Sequence, residues 1–256
     1  RCSDLAPFMP VFLRHLLIQY GEDAHEYWTP VTLSLERGDV VKKCILMACA
    51  MVLVFAAGVN AEEPWKLAKD SENIKVYTRE VPGSDANEFK GVADVDAPLE
   101  VIIEVFKDIP SFPQWYGFCR EIKLLKQDSE NHRIIYFVLE TTGPVKDRDM
   151  VIDTKDTKDL QAGKATIVMT AFKEDYVPRT GKYVRMTDMA GSAVLTRVDQ
   201  DTTGVVYTVK ADPAGYIPSF ISNMLQKEQS FLTLKGLREM VKKDMYWERA
   251  GIAKKS

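Results

Sequence analysis

The chain has 256 residues, of which 46% are hydrophobic and 28% are charged, so it has enough apolar material for one substantial core and room for one or at most two domains. The formal net charge is -3 at pH 7, and the sequence has no long block of basic residues. This charge pattern argues against nucleic acid as a partner.

An uncharged apolar run over 44–59 directly follows Lys42 and Lys43. A basic start, an apolar stretch and small residues at its end are typical of a secretory signal peptide. We therefore predict a signal peptide over 40–61 that is cleaved after Ala61, and a mature protein that is periplasmic or secreted.

Two alternatives stay open for the apolar run. One is a membrane anchor, although a run of about 16 residues is shorter than the roughly 20 that cross a bilayer as a helix. The other is a lipoprotein signal, in which Cys49 would be the modified residue.

Residues 1–39 precede the predicted signal peptide, whereas a signal peptide begins close to its basic residues. We predict that they are a spurious or unstructured N-terminal extension and that translation starts at Val40 or Val41; a genuine extension is the alternative.

The mature chain over 62–256 then keeps one cysteine, Cys119, so an intrachain disulfide is excluded there. The thiol is predicted to be a buried packing residue.

The first part of the mature chain is predicted to contain a short helix, an antiparallel hairpin and a second helix. Their ranges are 63–69 for the first helix, 73–80 and 88–96 for the strands, and 99–109 for the second helix. Aromatic residues follow at Phe112, Trp115, Tyr116 and Phe118. This cluster is predicted to cap one end of the core.

Six further strands are predicted from runs of apolar and β-branched residues separated by polar turns. Their ranges are 121–127, 132–140, 150–157, 165–172, 183–198 and 205–211. The two-residue period puts one apolar set of side chains on the inner face of the sheet. That set is Ile134, Tyr136, Val138, Met150, Ile152, Ile167, Met169, Val205, Tyr207 and Val209.

The last predicted element is an amphipathic helix over 217–241, with Gln226 and Gln229 on its polar side. A long antiparallel sheet that is apolar on one face needs a cover, and this helix is the candidate of sufficient length. The predicted fold class is therefore α+β, with a curved antiparallel sheet wrapped around a long C-terminal helix.

Two motifs make the sequence resemble the START family, within the wider Bet v 1-like group. Residues 148–151 read Arg-Asp-Met-Val, and residues 212–218 read Asp-Pro-Ala-Gly-Tyr-Ile-Pro. The resemblance extends over nearly all of 63–243. It implies a helix-grip fold with an apolar internal cavity that holds one lipid, sterol or other hydrophobic molecule. Thr154 stands where some sterol-carrying members have an arginine, so the resemblance does not favour a sterol.

The predicted function is non-catalytic binding and transport of a hydrophobic small molecule, such as a lipid, fatty acyl or sterol-like compound. The predicted ligand-binding residues combine the aromatic cluster, inward-facing strand positions and the last helix. They are Trp115, Tyr116, Tyr136, Val138, Arg148, Met150, Met169, Met186, Tyr207, Phe220, Met224 and Phe231. We expect a monomer that contacts membranes transiently and needs no metal or cofactor.

Catalytic chemistry has few candidates in this sequence. His132 is the only histidine of the predicted mature chain, and its place in a turn predicts a solvated side chain. The main alternative function is a polyketide cyclase/dehydrase-like enzyme, which would need Tyr136, Tyr207, Asp188 or Arg148 to move protons. An interaction protein with a filled interior is a third possibility.

Overall fold

The computed structural model describes residues 64–84, 86–141 and 145–254. The predictions for 1–39 and for the signal peptide over 40–61 lie outside these residues. The described strands are β1 (Lys66–Ser71), β2 (Ile74–Arg79), β3 (Glu88–Val95), β4 (Cys119–Ser129), β5 (His132–Leu139), β6 (Arg148–Asp159), β7 (Lys164–Ala171), β8 (Val184–Arg185), β9 (Met189–Arg197) and β10 (Thr203–Ala211). The described helices are α1 (Leu99–Lys107), a 3-10 helix (Ile109–Gln114), α2 (Ser219–Met240) and α3 (Asp244–Ala250).

The strands form one sheet in the order β1-β2-β3-β10-β9-β7-β6-β5-β4, with β8 paired to β6. Neighbours along this path are antiparallel, and the short β6–β8 pair is parallel. The sheet stays open between β1 and β4. The predicted fold class, a curved antiparallel sheet around a long C-terminal helix, is confirmed.

The predicted helix over 63–69 is wrong, because the chain from Lys66 forms strand β1 instead. Glu72 and Asn73, which join β1 to β2, have φ values of 54° and 55°. Two consecutive residues with positive φ make the turn that best matches the twist of an antiparallel hairpin. A seven-residue helix has too few hydrogen bonds to compete with pairing to β2.

The predicted strand over 183–198 is two strands with different neighbours. β8 pairs with the start of β6, whereas β9 lies between β7 and β10. The chain is held at the crossing because Met186 N–H donates to Asp149 O at 2.8 Å. The change of neighbour requires a break between Met186 and Met189, which the apolar pattern does not show.

The C-terminal helices complete the core. Leu234 and Leu237 of α2 are almost fully buried, and α3, which the sequence pattern did not indicate, buries Tyr246 and Trp247. The Tyr246 hydroxyl donates to Asp108 Oδ2 at 2.9 Å, which ties α3 to the end of α1. None of the helices in the described part of the chain combines the length and the apolar character of a membrane-spanning segment.

Helix α2 packs backbone against backbone with the loop after the 3-10 helix. A Cβ atom on Gly236 would lie 2.2 Å from Trp115 O, and one on Gly117 would lie 2.5 Å from Gln229 O. Gly117 N–H also donates to Thr233 Oγ1 at 3.0 Å. These contacts at both ends of the loop hold Tyr116 in a defined position beside α2.

We expect Gly236→Ala to destabilise the protein by about 1–3 kcal/mol, because helix and loop must separate to admit the methyl group. Helix propensity alone predicts the opposite sign, since alanine is favoured over glycine by about 1 kcal/mol in a helix. Urea unfolding followed by circular dichroism measures the difference, with Lys235→Ala on the exposed side of α2 as the control. An increase in the free energy of unfolding for Gly236→Ala would contradict the close approach.

Candidate ligand-binding site

An apolar cavity lies between the inner face of the sheet and α2. Its volume is about 80 Å³. The side chains that line it come from the 3-10 helix and its following loop, from strands β5, β6, β7, β9 and β10, from the segment beside β8, and from α2. They are Phe112, Tyr116, Phe118, Ile135, Phe137, Leu139, Glu140, Met150, Ile152, Met169, Met186, Met189, Tyr207, Val209, Ala211, Leu225, Gln226 and Gln229.

Thioether side chains form much of the strand-side wall. Met150, Met169, Met186 and Met189 all line the cavity and are all buried. Methionine is unbranched and polarisable, so such a wall adapts to apolar molecules of different shapes. An engineered cavity of about 150 Å³ holds benzene, so a lipid-sized ligand would need this wall to move outward.

Two tyrosines and a glutamine form a buried polar cluster in the same cavity. The hydroxyl oxygens of Tyr116 and Tyr207 are 2.7 Å apart, and Gln229 Nε2 donates to the Tyr207 hydroxyl at 3.2 Å. Burial raises the pKa of Tyr116 well above its ordinary value, and it also raises the pKa of Tyr207. Both hydroxyls are therefore neutral hydrogen-bonding groups at physiological pH.

Charged groups are nearly absent from the cavity wall. Glu140 is the one acidic or basic side chain among the lining residues, and it is exposed. Its Oε1 accepts a hydrogen bond from Arg120 Nη2 at 2.8 Å. The interior is thus apolar, with uncharged hydrogen-bonding groups.

Five of the predicted ligand-binding residues line this cavity. They are Tyr116, Met150, Met169, Met186 and Tyr207. Met169 and Tyr207 lie on strands that alternate between buried and more exposed residues, so alternation identified these inward positions. Met150 lies in the first part of β6, where both faces are buried, and Tyr116 and Met186 lie outside the strands. Contact of these side chains with a ligand stays a prediction.

The inward face predicted for β5 is wrong: Tyr136 and Val138 lie on the opposite side from the cavity-lining Ile135, Phe137 and Leu139. Val138 is nevertheless fully buried. Because both faces of β5 pack against other parts of the protein, a two-residue period could not indicate which face meets the cavity. The Tyr136 hydroxyl donates to Asp149 Oδ2 at 3.1 Å, and burial, with the charge of Asp149, raises the pKa of Tyr136.

Arg148 does not line the cavity, and it donates to backbone carbonyls. Arg148 Nε donates to Pro213 O at 3.0 Å, and its Nη1 donates to Lys146 O. Asp149 instead forms a bidentate pair with Arg185, at 3.0 Å for Oδ1–Nε and 2.8 Å for Oδ2–Nη2. The Arg148-Asp149 motif is therefore structural: one residue anchors the segment before α2 and the other anchors β8.

The remaining predicted residues lie outside the cavity wall for different reasons. Trp115 is buried in an aromatic cluster, with its ring centroid 5.4 Å from that of Phe106. Phe231 is buried beneath Lys69, whose Nζ is 3.8 Å from the ring centroid. Phe220 and Met224 face solvent, with 71% and 47% of their surfaces exposed.

The sequence pattern did not indicate the polar residues that α2 contributes to the cavity. Leu225, Gln226 and Gln229 line it, although the glutamines were predicted on the polar outer face. The inner face of α2 is rich in polar side chains, and Ser230 and Thr233 on it are almost fully buried. In this part of the helix the apolar stripe therefore placed Leu225 correctly but left out the two inward glutamines, and it included the exposed Phe220 and Met224. One signal in the sequence could have found the glutamines. Gln226 and Gln229 are three residues apart, and Gln229 and Thr233 are four apart, which is the spacing of residues on one face of a helix.

The other chemically active side chains lie away from the cavity. His132 is the first residue of β5 and is partly solvated, with 30% of its side chain exposed and its Nε2 2.6 Å from Asp153 Oδ1. Cys119 is buried as predicted, and burial raises the pKa of its thiol to about 12. In the part of the chain that is described, no group of three or more His, Cys, Asp or Glu side chains is placed to hold a metal ion.

Comparison with known proteins agrees with this architecture. A sequence profile of the START domain matches residues 45–244. The chain belongs to the START family. The match begins inside the segment predicted as a signal peptide, which lies outside the described residues, and that prediction stays a prediction.

Two bacterial proteins are similar to most of this START domain. An uncharacterised protein of Pseudomonas aeruginosa is 33% identical over 200 residues, which is 77% of this chain and 96% of the relative. The crystal structure of a STAR-related lipid transfer protein from Xanthomonas axonopodis is 35% identical and superposes with a TM-score of 0.64. That match covers 70% of this chain and 99% of the other.

Enzymes also carry a related domain. Mouse acetyl-coenzyme A thioesterase is 23% identical over 161 residues, which is 62% of this chain but 28% of the thioesterase. The chain therefore corresponds to about a quarter of that enzyme. START family membership alone does not separate a carrier from a catalyst.

Proposed function

We propose that this START domain binds a hydrophobic small molecule in its internal cavity and carries it without chemical change. The observation that carries the proposal is the apolar cavity between the sheet and α2, with its thioether wall. Burying roughly 300 Å² of apolar ligand surface is worth about 7 kcal/mol before ordering costs, which suits reversible carriage. The lipid-transfer name of the Xanthomonas relative, at 35% identity, supports the same function.

The alternative function, a cyclase-like enzyme, would need side chains that transfer protons inside the cavity. The structure gives it little support. Of the four candidates, Tyr207 lines the cavity, while Tyr136 and Arg148 are engaged elsewhere and Asp188 is exposed. A raised pKa makes Tyr207 a poor base at neutral pH. The one carboxylate of the cavity wall, Glu140, is exposed and bonded to Arg120, so the cavity offers a place for binding but no buried carboxylate or histidine to accept a proton.

The proposal also includes where the protein works and how it loads and releases its ligand. The predicted signal peptide supports a carrier that works in the periplasm or outside the cell, and we propose that it works as a monomer. Tyr216 and Phe220, near the start of α2, expose 95% and 71% of their surfaces. Exposed aromatic side chains of this kind suit brief contact with a membrane during loading and release.

Native mass spectrometry of the protein released from its own cells by osmotic shock tests this function. We expect the protein in the released fraction, in complex with an apolar molecule that is recovered chemically unchanged. The purified protein, after ligand extraction, should also bind the uncharged dye Nile red. Repeated recovery of an empty protein that binds no apolar probe would refute the carrier.

A further inference from the structure

Helix α2 presents polar groups to a cavity that is otherwise apolar. Gln226 and Gln229 lie about one helical turn apart, and both line the cavity. Gln226 Nε2 donates to Ser222 Oγ at 3.2 Å, so one end of this side chain is held by the helix itself. Within the described residues, Gln226 Oε1 is buried and has no hydrogen-bond partner.

An unpaired buried acceptor is uncommon in a folded protein, because losing its hydrogen bonds to water is costly. The glutamine carbonyl also points to a definite chemistry, since an amide oxygen can only accept. A ligand that satisfies Gln226 Oε1 must therefore bring an O–H or N–H group into the cavity.

The tyrosine pair supplies the complementary donor. Gln229 Nε2 donates to the Tyr207 hydroxyl at 3.2 Å, and the Tyr207 hydroxyl then donates to Tyr116 across 2.7 Å. In this direction, the hydrogen of the Tyr116 hydroxyl has Met169 Sδ at 4.0 Å as its neighbour, which is a weak acceptor. The reverse direction would require Tyr207 to donate to Gln229 Oε1 across 3.5 Å, at the limit of a hydrogen bond.

The charges around the cavity restrict the ligand further. No lysine, arginine or histidine is among the lining residues, and Glu140 is exposed and bonded to Arg120. A carboxylate or phosphate placed beside Gln226 would lose its hydration without gaining a positive partner, which is strongly unfavourable. An ammonium group would likewise be buried without a charged partner, and it has no lone pair to accept a hydrogen bond from the Tyr116 hydroxyl. The group that reaches this part of the cavity must therefore be uncharged.

We propose that this site selects apolar molecules that carry an uncharged hydroxyl group. The hydroxyl donates its hydrogen to Gln226 Oε1, and its oxygen accepts a hydrogen bond from the Tyr116 hydroxyl. This selectivity rests on the proposed carrier function, and it assigns Gln226 and the Tyr116–Tyr207 pair as the residues that determine specificity.

Displacement of Nile red by three probes of equal chain length tests the selectivity. The probes are 1-dodecanol, which donates and accepts; 1-methoxydodecane, which only accepts; and dodecanoate, which is charged. We expect 1-dodecanol to displace the dye at concentrations about tenfold lower than 1-methoxydodecane, which is the effect of one well-formed hydrogen bond. Dodecanoate should be weaker still, because its charge loses hydration without gaining a positive partner.

Variants assign the selectivity to the named atoms. Gln226→Met keeps the volume but removes the carbonyl, so we expect the alcohol and the ether to become equal within about twofold. Tyr116→Phe removes a donor that serves both probes, so both should weaken while the alcohol keeps its advantage. Gln161→Met, the same substitution in an exposed turn, is the control and should leave the preference unchanged.

The outcomes separate this inference from the carrier function. Equal displacement by alcohol and ether in the unmodified protein would overturn the hydroxyl site and leave the carrier intact. A tenfold preference that survives in Gln226→Met would also overturn it. If neither Nile red nor any probe binds, the carrier and the hydroxyl site both fail.

Discussion

Replacing Asp149 by alanine is expected to lower the free energy of unfolding by about 3–5 kcal/mol, because it leaves a buried arginine without its anion. The side chains of Arg185 and Asp149 are 2% and 3% exposed, and two hydrogen bonds join them. The Tyr136 hydroxyl would lose its acceptor as well. For a domain with a total stability of about 5–15 kcal/mol, such a loss approaches unfolding. Equilibrium denaturation in urea measures it.

Two control variants show whether the burial of the pair is responsible. Asp175 also lies near Arg185, at 3.4 Å, but its side chain is 46% exposed, so Asp175→Ala should change stability little. The double variant Asp149→Leu with Arg185→Met removes both charges and should recover much of the loss. Equal effects of Asp149→Ala and Asp175→Ala would mean that the buried pair does not hold β8 against β6.

Filling the cavity should abolish ligand binding without unfolding the protein. Ala211, at the end of β10, lines the cavity, and a phenylalanine there would occupy much of its volume of about 80 Å³. We expect Ala211→Phe to weaken Nile red binding more than about tenfold, while overpacking costs about 1–3 kcal/mol of stability. Fluorescence titration gives the affinity, and thermal unfolding shows that the variant is folded.

The matched control for this variant is Ala190→Phe. Ala190 pairs with Lys210 in the same sheet but is exposed, so the same substitution leaves the cavity empty. Dye affinity in Ala190→Phe should equal that of the unmodified protein. If Ala211→Phe binds the dye as tightly as Ala190→Phe does, the dye and the proposed ligand lie elsewhere.

Most of the fold could be predicted from the sequence because most elements have one buried face. The strands that contribute Met169 and Tyr207 alternate between core and more exposed positions, so their inward side chains were identified correctly. The length and amphipathic pattern of 217–241 likewise predicted the C-terminal helix, whose observed bounds are Ser219–Met240. In these places local periodicity and tertiary packing require the same arrangement.

Tertiary structure decided the details of the cavity wall. In β5 both faces are buried, so only the packing of β6 and β8 shows that Phe137 faces the cavity and Tyr136 faces Asp149. In α2 the close contacts at Gly236 and Gly117 set the rotation of the helix and turn Gln226 and Gln229 inward. Periodicity tells which side chains share a face. What covers that face depends on residues far away in the chain. The sequence alone therefore predicted an apolar cavity. Only the packed structure brought the uncharged polar groups of Tyr116, Tyr207, Gln226 and Gln229 together in its wall.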